Sequence, residues 1–190
     1  MLTSVLRNKD LWRKSALVNG SWVDAESKEK FPVYNPATTE VVGYVPALSA
    51  KETKTAIEGA HAAWHTWRSS WPKERSEILK KWQALIIENA KDLAAITATE
   101  LGRPLPETEE EIWHAAESVG WFAEEAVRSS KPSVGVVGLW TPWNYPCATM
   151  ARKVSAALAA GCCVVVKPSE ETPFTALALG WLAEKAGVPR

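Results

Sequence analysis

Three cysteines in 190 residues, Cys147, Cys162 and Cys163, two of them adjacent, suit neither a disulfide framework nor a zinc site. Nothing in that pattern implies secretion. No apolar run reaches the roughly 18 residues that span a bilayer; the longest, 156–166, is interrupted by Gly161. An excess of one charge is missing too. Twenty-two basic residues balance 22 acidic ones, so no overall field recruits nucleic acid or an anionic membrane. Internal repeats and low-complexity stretches are absent, and so is the GxGxxG dinucleotide fingerprint: Gly135 and Gly138 have the wrong spacing and lie inside a strand. The opening stretch, MLTSVLRNKDLWRKS, has four basic residues and one acid but no apolar h-region. It reads as a short leader on a cytoplasmic protein, or as a weak mitochondrial presequence.

What is present fits one soluble domain. Hydrophobic residues make up 46% and charged residues 23%, and the length suffices for one substantial core. The 11 tryptophans fall mostly at helical spacings with other apolar residues and read as core or face-packing residues.

Short strands fill residues 1–48. ALVNGSWVDAE carries Asn19-Gly20, a hairpin signal between two alternating runs, and FPVYNPATTEVVGYVP carries a turn at Asn35-Pro36 before a further strand. Helices fill 49–130. Ser49 with Glu52 fits a capping box ahead of a helix from Lys51 to Arg68. Pro72 opens a long helical run that breaks near Asn89 and stops at Gly102. A further helix, from about Thr108 to Arg128, begins with acidic residues at its positive end. Residues 133–190 change character. VGVVGLW and CCVVVK read as strands buried on both faces, each followed by a helix (Cys147–Ala160, Thr172–Ala186) stopped by a glycine. That order predicts a right-handed, parallel βαβα core in an α/β protein.

In open parallel sheets, ligands bind beyond the carboxyl ends of the strands. The first such end supplies Trp140, Thr141, Pro142, Trp143, Asn144, Tyr145 and Pro146; the second supplies Lys167, Pro168, Ser169 and Glu170. Lysine donates to ribose hydroxyls or phosphate, and a carboxylate accepts from both hydroxyls of a ribose. The same two residues also fit a solvated ion pair. On the residues alone, Asn144 equally fits a turn asparagine and Trp143 a core anchor.

GVVGLW, TPWNYP and RKVSAALAAGCCVVVKPSEETP together resemble the cofactor-binding core of the aldehyde dehydrogenase superfamily. NGSWVDA, YNPATTEVVGYVP, ERSEILKKW, ATELGRPL and WFAEEA resemble that family's amino-terminal region in the same order. The resemblance implies an incomplete aldehyde dehydrogenase fold, a partial NAD(P)-binding domain over 1–190, and oxidation of a small-molecule aldehyde. It makes Asn144 the amide that stabilises the oxyanion, Trp140–Trp143 and Lys167–Glu170 the cofactor-binding loops, and Lys153 a member of the proton path. Arg152 matches an arginine that holds the substrate carboxylate in succinate-semialdehyde dehydrogenases. Glu170 favours NAD, since a carboxylate repels a 2′-phosphate, with NADP still open. For Lys153 and Arg152 the alternative is a solvated helix face.

Two departures from the family are expected to matter. The nucleophilic cysteine, the general-base glutamate and a glycine-rich cofactor loop lie beyond Arg190 in the resemblance, and none of the three cysteines present substitutes for the nucleophile. The link SSKPS, residues 129–133, replaces a longer family segment used in subunit association, which puts a homo-oligomer in doubt. The chain alone is therefore expected to be inactive. The alternative is a non-catalytic remnant that binds cofactor weakly or associates with a partner chain.

Overall fold

Asn19 and Gly20 both adopt positive φ (52° and 71°), a turn geometry whose twist suits a two-residue hairpin. Strands β1 (Ala16–Val18) and β2 (Ser21–Val23) accordingly pair antiparallel, with Val18 opposite Ser21. The computed structural model describes residues 4–128 and 132–189. A second hairpin joins β3 (Lys30–Tyr34) to β4 (Val41–Pro46), its register shifting between Val33 and Tyr34. The turn at Asn35-Pro36 forms as expected: the Asn35 side chain accepts from Ala37 N–H at 2.9 Å.

Helix α1 (Ala50–Trp67) opens on the expected capping box, with Glu52 accepting from the Ser49 N–H at 2.5 Å. Helix α2 (Pro72–Glu88) starts on its proline, and Asn89 separates it from α3 (Ala90–Leu101). Gly102, in the left-handed region, ends α3. Helix α4 runs from Leu105 to Arg128, starting three residues ahead of the sequence expectation. The acidic run suggested the later start, but the chain turns helical directly after Pro104. Residues 129–131 of the short SSKPS link lie outside the described residues.

Strand β5 (Val136–Trp140) pairs parallel with β6 (Cys163–Lys167) in register from Val136–Cys163 to Trp140–Lys167. Helix α5 (Pro146–Ala159) connects them and α6 (Pro173–Ala186) follows. The expectation of strands buried on both faces needs correction. No residue of β5 is buried, and Cys163 is the only buried residue of β6. Helices α1 and α5 contact both strands, but a two-stranded sheet leaves each strand one unpaired edge.

The core lies instead among the helices. Trp82 and Ile86 of α2, Ile112 of α4, Leu158 of α5 and Leu179 and Leu182 of α6 are fully buried. Side chains of this size each contribute about 1.5–3 kcal/mol on burial. Tryptophans divide more evenly than helical spacing suggested. Trp67, Trp82 and Trp181 are buried, while Trp71, Trp113, Trp121, Trp140 and Trp143 are exposed. Trp113 and Trp121 lie on the exposed face of α4, and Trp71, Trp140 and Trp143 lie outside the helices.

The stretch read as a leader is, from Leu6 on, part of the fold. Leu6 and Leu11 join the core, and Asp92 on α3 accepts from the backbone N–H groups of Arg7 (3.1 Å) and Asn8 (2.7 Å). Among the described residues no helix is long and apolar enough to cross a membrane.

Candidate functional site

The parallel register fixes the site's frame. Because Trp140 and Lys167 are partners at the ends of β5 and β6, the loops that leave those strands start side by side. One further bond holds them there: Thr141 N–H donates to the Lys167 carbonyl at 3.3 Å. Thr141 is buried, whereas Trp140, Pro142, Trp143 and Asn144 are exposed. The Asn144 side-chain amide makes no hydrogen bond among the described residues, so it is not tied up in its own turn.

In the second loop Lys167 Nζ donates to Glu170 Oε2 at 2.7 Å, with both side chains exposed. That bond holds the Glu170 carboxyl below its usual range. Pro168 and Ser169 are half-buried, and Ser169 Oγ accepts from Glu171 N–H at 3.3 Å. The pair is thus a solvated ion pair that stands at the end of β6.

Arg152 and Lys153 sit on the exposed side of α5, and neither side chain has an ion-pair partner among the described residues. Arg152 lines a surface hollow of about 400 Å3 with Tyr145, Thr149, His114 and Glu117. The structure thus groups Arg152 with the first loop through Tyr145.

Both loops end in helices that begin with proline at the first position, and in neither does the residue before the helix cap it with its side chain (Tyr145, Thr172). First-turn amides of a helix need acceptors. Here they come from other helices. Glu111 on α4 accepts at Oε1 from Cys147 N–H (2.8 Å) and Ala148 N–H (3.1 Å). Glu100 at the end of α3 accepts at Oε2 from Phe174 N–H and at Oε1 from Thr175 N–H, both 2.8 Å. Burial pushes the Glu100 carboxyl up to about 8 against those bonds, and raises Glu111 against its amides and Arg103.

Arg103 completes the arrangement. Its Nη1 approaches Glu111 Oε2 at 3.4 Å, its Nη2 donates to the Asn144 carbonyl at 2.8 Å, and its guanidinium lies 4.3 Å from the Tyr145 ring centre. Sequence reasoning missed Arg103, Glu100 and Glu111. The available signal was the pair of proline-started helices without a capping side chain.

These caps also limit what the two helix ends can bind. Strand ends with Lys167, Glu170 and Asn144 offer groups suited to a ribose and to a developing oxyanion. The amides that usually cradle phosphate at helix amino termini are taken by Glu100 and Glu111, so α5 and α6 do not offer a pyrophosphate seat. No group of metal-ligating side chains occurs among the described residues.

The three thiols are all buried. Burial raises Cys147 well above the ordinary thiol range, with Glu111 and Glu100 adding to it, and pushes Cys163 up to about 11. Neither Cys147 nor Cys163 is poised as a thiolate nucleophile.

Known proteins share this architecture. Residues 22–190 match the model of the aldehyde dehydrogenase family. A succinate semialdehyde dehydrogenase of Acinetobacter baylyi is 48% identical over 97% of this chain and 41% of that protein. The Escherichia coli succinate-semialdehyde dehydrogenase named for NADP(+) is 43% identical, over 97% of this chain and 42% of its own length. The crystal structure of succinate-semialdehyde dehydrogenase from Burkholderia pseudomallei superposes with a TM-score of 0.95 at 46% identity, covering 97% of this chain and 42% of that one. The chain thus spans about two fifths of the length of these relatives, and its α/β architecture is the corresponding part of their fold. With the family model matched over most of its length, this chain belongs to the aldehyde dehydrogenase family.

Proposed function

We propose that the chain carries the ribose loop and the oxyanion loop of a semialdehyde dehydrogenase that uses NAD in preference to NADP. The observation that supports this most is the in-register end of β5 and β6, which sets the Asn144 loop beside the Lys167–Glu170 loop. Similarity to proteins named succinate-semialdehyde dehydrogenase supports the substrate class.

In this reading Lys167 donates to the adenosine ribose or its phosphate and Glu170 accepts from the ribose hydroxyls. Trp140, Thr141, Pro142, Trp143, Pro168 and Ser169 frame the pocket. The Asn144 amide, a fixed neutral donor, steadies charge developing on the aldehyde oxygen; donors of this kind lower a barrier by about 3 kcal/mol in comparable sites. Lys153 serves the proton path. Arg152 holds the far carboxylate of the semialdehyde, since guanidinium grips a carboxylate in a bidentate fork. A nicotinamide held between these loops would supply the hydride acceptor. The nucleophile is not among Cys147, Cys162 and Cys163, so these 190 residues bind without turning over.

The test is a calorimetric titration of the full chain with NAD and with NADP, beside Lys167→Ala, and an NADH absorbance assay with succinate semialdehyde. Saturable NAD binding that weakens in the variant, with no NADH formed, is the expected result. Wild-type and variant indistinguishable in the titration would remove the ribose-loop assignment. Sustained NADH production would overturn the assignment of the thiols.

A second reading rests on the unpaired edges of β5 and β6. Such edges invite strand addition, and a non-catalytic chain would associate with a partner through them. Light scattering during size-exclusion chromatography separates the two readings, because binding of NAD by a monomer needs no edge pairing.

A further inference from the structure

Glu100 and Glu111 stand on either side of one corner of the fold. Helix α3 ends at Leu101, Gly102 turns the chain with φ +72°, and α4 begins at Leu105. From this corner one carboxylate reaches the first turn of α6 and the other the first turn of α5. Those are the helices that directly follow the two loops of the candidate site. Glu100 and Glu111 are each 2% exposed, and the sequence separations bridged are 74 and 36 residues. Arg103, in the middle of the corner, adds a direct bond to the Asn144 carbonyl.

We propose that the α3–α4 corner is the positioning element of the site: Glu111 with Arg103 sets the 141–146 loop, Glu100 sets the 167–172 loop, and their common origin fixes the spacing between the two. A buried carboxyl group taking two adjacent amides of a first turn allows that helix one position along its axis and one rotation about it. Two such grips from a pair of helices joined by one short turn leave the loops little freedom to drift apart. The β5–β6 pairing sets where the loops begin, and the corner sets where they end. Glu100, Arg103 and Glu111 touch the backbone behind the loops, so they position Asn144, Lys167 and Glu170. The effect on ligand binding rests on the reading of these loops as the cofactor site; the effect on loop order does not.

Amide hydrogen exchange on the full chain, read by NMR or by mass spectrometry of short peptides, tests the corner. In Glu111→Ala the Cys147 and Ala148 amides and the 141–145 loop should exchange about tenfold faster or more, the loss of one to two hydrogen bonds, with Phe174 and Thr175 unchanged. Glu100→Ala should give the reverse pattern. Glu111→Gln keeps an acceptor oxygen and should return Cys147 and Ala148 close to wild-type exchange. If Glu111→Ala does not fold, Arg103→Ala decides. That variant should free the 141–145 loop while leaving Phe174 and Thr175 exchange unchanged, and Arg103→Lys should restore part of the protection.

Unchanged loop exchange in Arg103→Ala, or a uniform rise along the chain in every variant including Glu111→Gln, would overturn the proposal. A parallel calorimetric titration with NAD carries the functional half. The expected result is an affinity about fivefold or more weaker in Arg103→Ala and recovered in part by Arg103→Lys. Equal affinity in wild type and Arg103→Ala would refute positioning of the ligand groups. No NAD binding by the wild type would refute the cofactor reading, and the exchange pattern would still decide the corner.

Discussion

Glu111 and Arg75 occupy opposite ends of α5: the carboxylate takes the Cys147 and Ala148 amides, and Arg75 Nε donates to the Ala159 carbonyl at 3.1 Å. Negative charge at a helix's amino end and positive charge at its carboxyl end both interact favourably with the macrodipole. The helix between β5 and β6 is thus clamped by ionic side chains from α4 and α2, with Trp67 Nε1 donating to the Leu158 carbonyl as well. Arg75 is 8% exposed and also donates from Nη1 to the Ser70 carbonyl. Arg75→Met keeps much of the volume and removes every donor. It should lower stability by about 2–3 kcal/mol, a charged hydrogen bond plus a partly buried dipole contact. Urea denaturation with its slope unchanged measures it, and a loss indistinguishable from that of an exposed lysine substitution would show the clamp to be idle.

Glu100 makes stability depend on pH in an unusual direction. Its carboxyl is raised to about 8 by burial, from an unfolded value near 4.5. A carboxyl raised on folding binds its proton more tightly in the folded state. Its contribution is therefore complete below about 4.5 and lost as pH rises through about 8. Between those values the unfolding free energy should fall with a slope approaching about 1.4 kcal/mol per pH unit. Glu111, also raised by burial, acts with the same sign. The lowered carboxylates Asp24, Glu52, Glu124 and Glu170 act below about 4.5, outside this window. Urea titrations from pH 5 to pH 8.5 should show the decline, and Glu100→Gln should flatten most of it. A wild-type curve already flat across that range would mean that Glu100 is ionised in the folded protein.

Local signals made most of the fold legible in the sequence. Asn19-Gly20, the Ser49–Glu52 box, Pro72, Asn89 and Gly102 each work through neighbouring backbone, and each stands where expected. Long-range partnerships were not legible. The acidic run before Ile112 reads as four charges serving their own helix, yet Glu111 turns inward and serves α5. Nothing in the spacing marks which acid does so, because the choice depends on where α5 lies. The same limit explains β5. A β-branched run predicts a strand, and whether its faces are covered depends on elements that the run does not specify.

Glu170 gives the cofactor reading a sharp test. A carboxylate beside a ribose 2′-phosphate is repulsive, so the charge of Glu170 rather than its shape should set the NAD preference proposed above. Glu170→Gln keeps the shape, removes the charge and frees Lys167 for a phosphate. The affinity for NADP relative to NAD should rise by about tenfold, on the order of one close charge contact near a protein surface. Because both side chains are exposed, thermal stability should stay the same within error. Competitive titration with the two dinucleotides reads the ratio, and an unchanged ratio would remove Glu170 from the discrimination.

Gly102 is where backbone conformation and the site corner meet. Its φ of +72° lies in the left-handed region, and a Cβ there would come within 2.6 Å of Pro36 Cγ. Alanine thus meets two costs, a disfavoured conformation and a clash with a stiff ring in the turn after β3. Relief requires the β3–β4 turn or the corner to move, and the corner holds Glu100 two residues earlier and Arg103 one residue later. Gly102→Ala should lower stability by about 2–3 kcal/mol, the strain of a non-glycine left-handed residue plus the contact. It should also speed amide exchange at Phe174 and at Cys147 together, since the two caps lie on the helices that this turn joins. Asn tolerates the left-handed region better than Ala but brings a larger side chain toward Pro36. Gly102→Asn should therefore recover only part of the loss, whereas recovery to wild type would show that conformation alone accounts for the glycine.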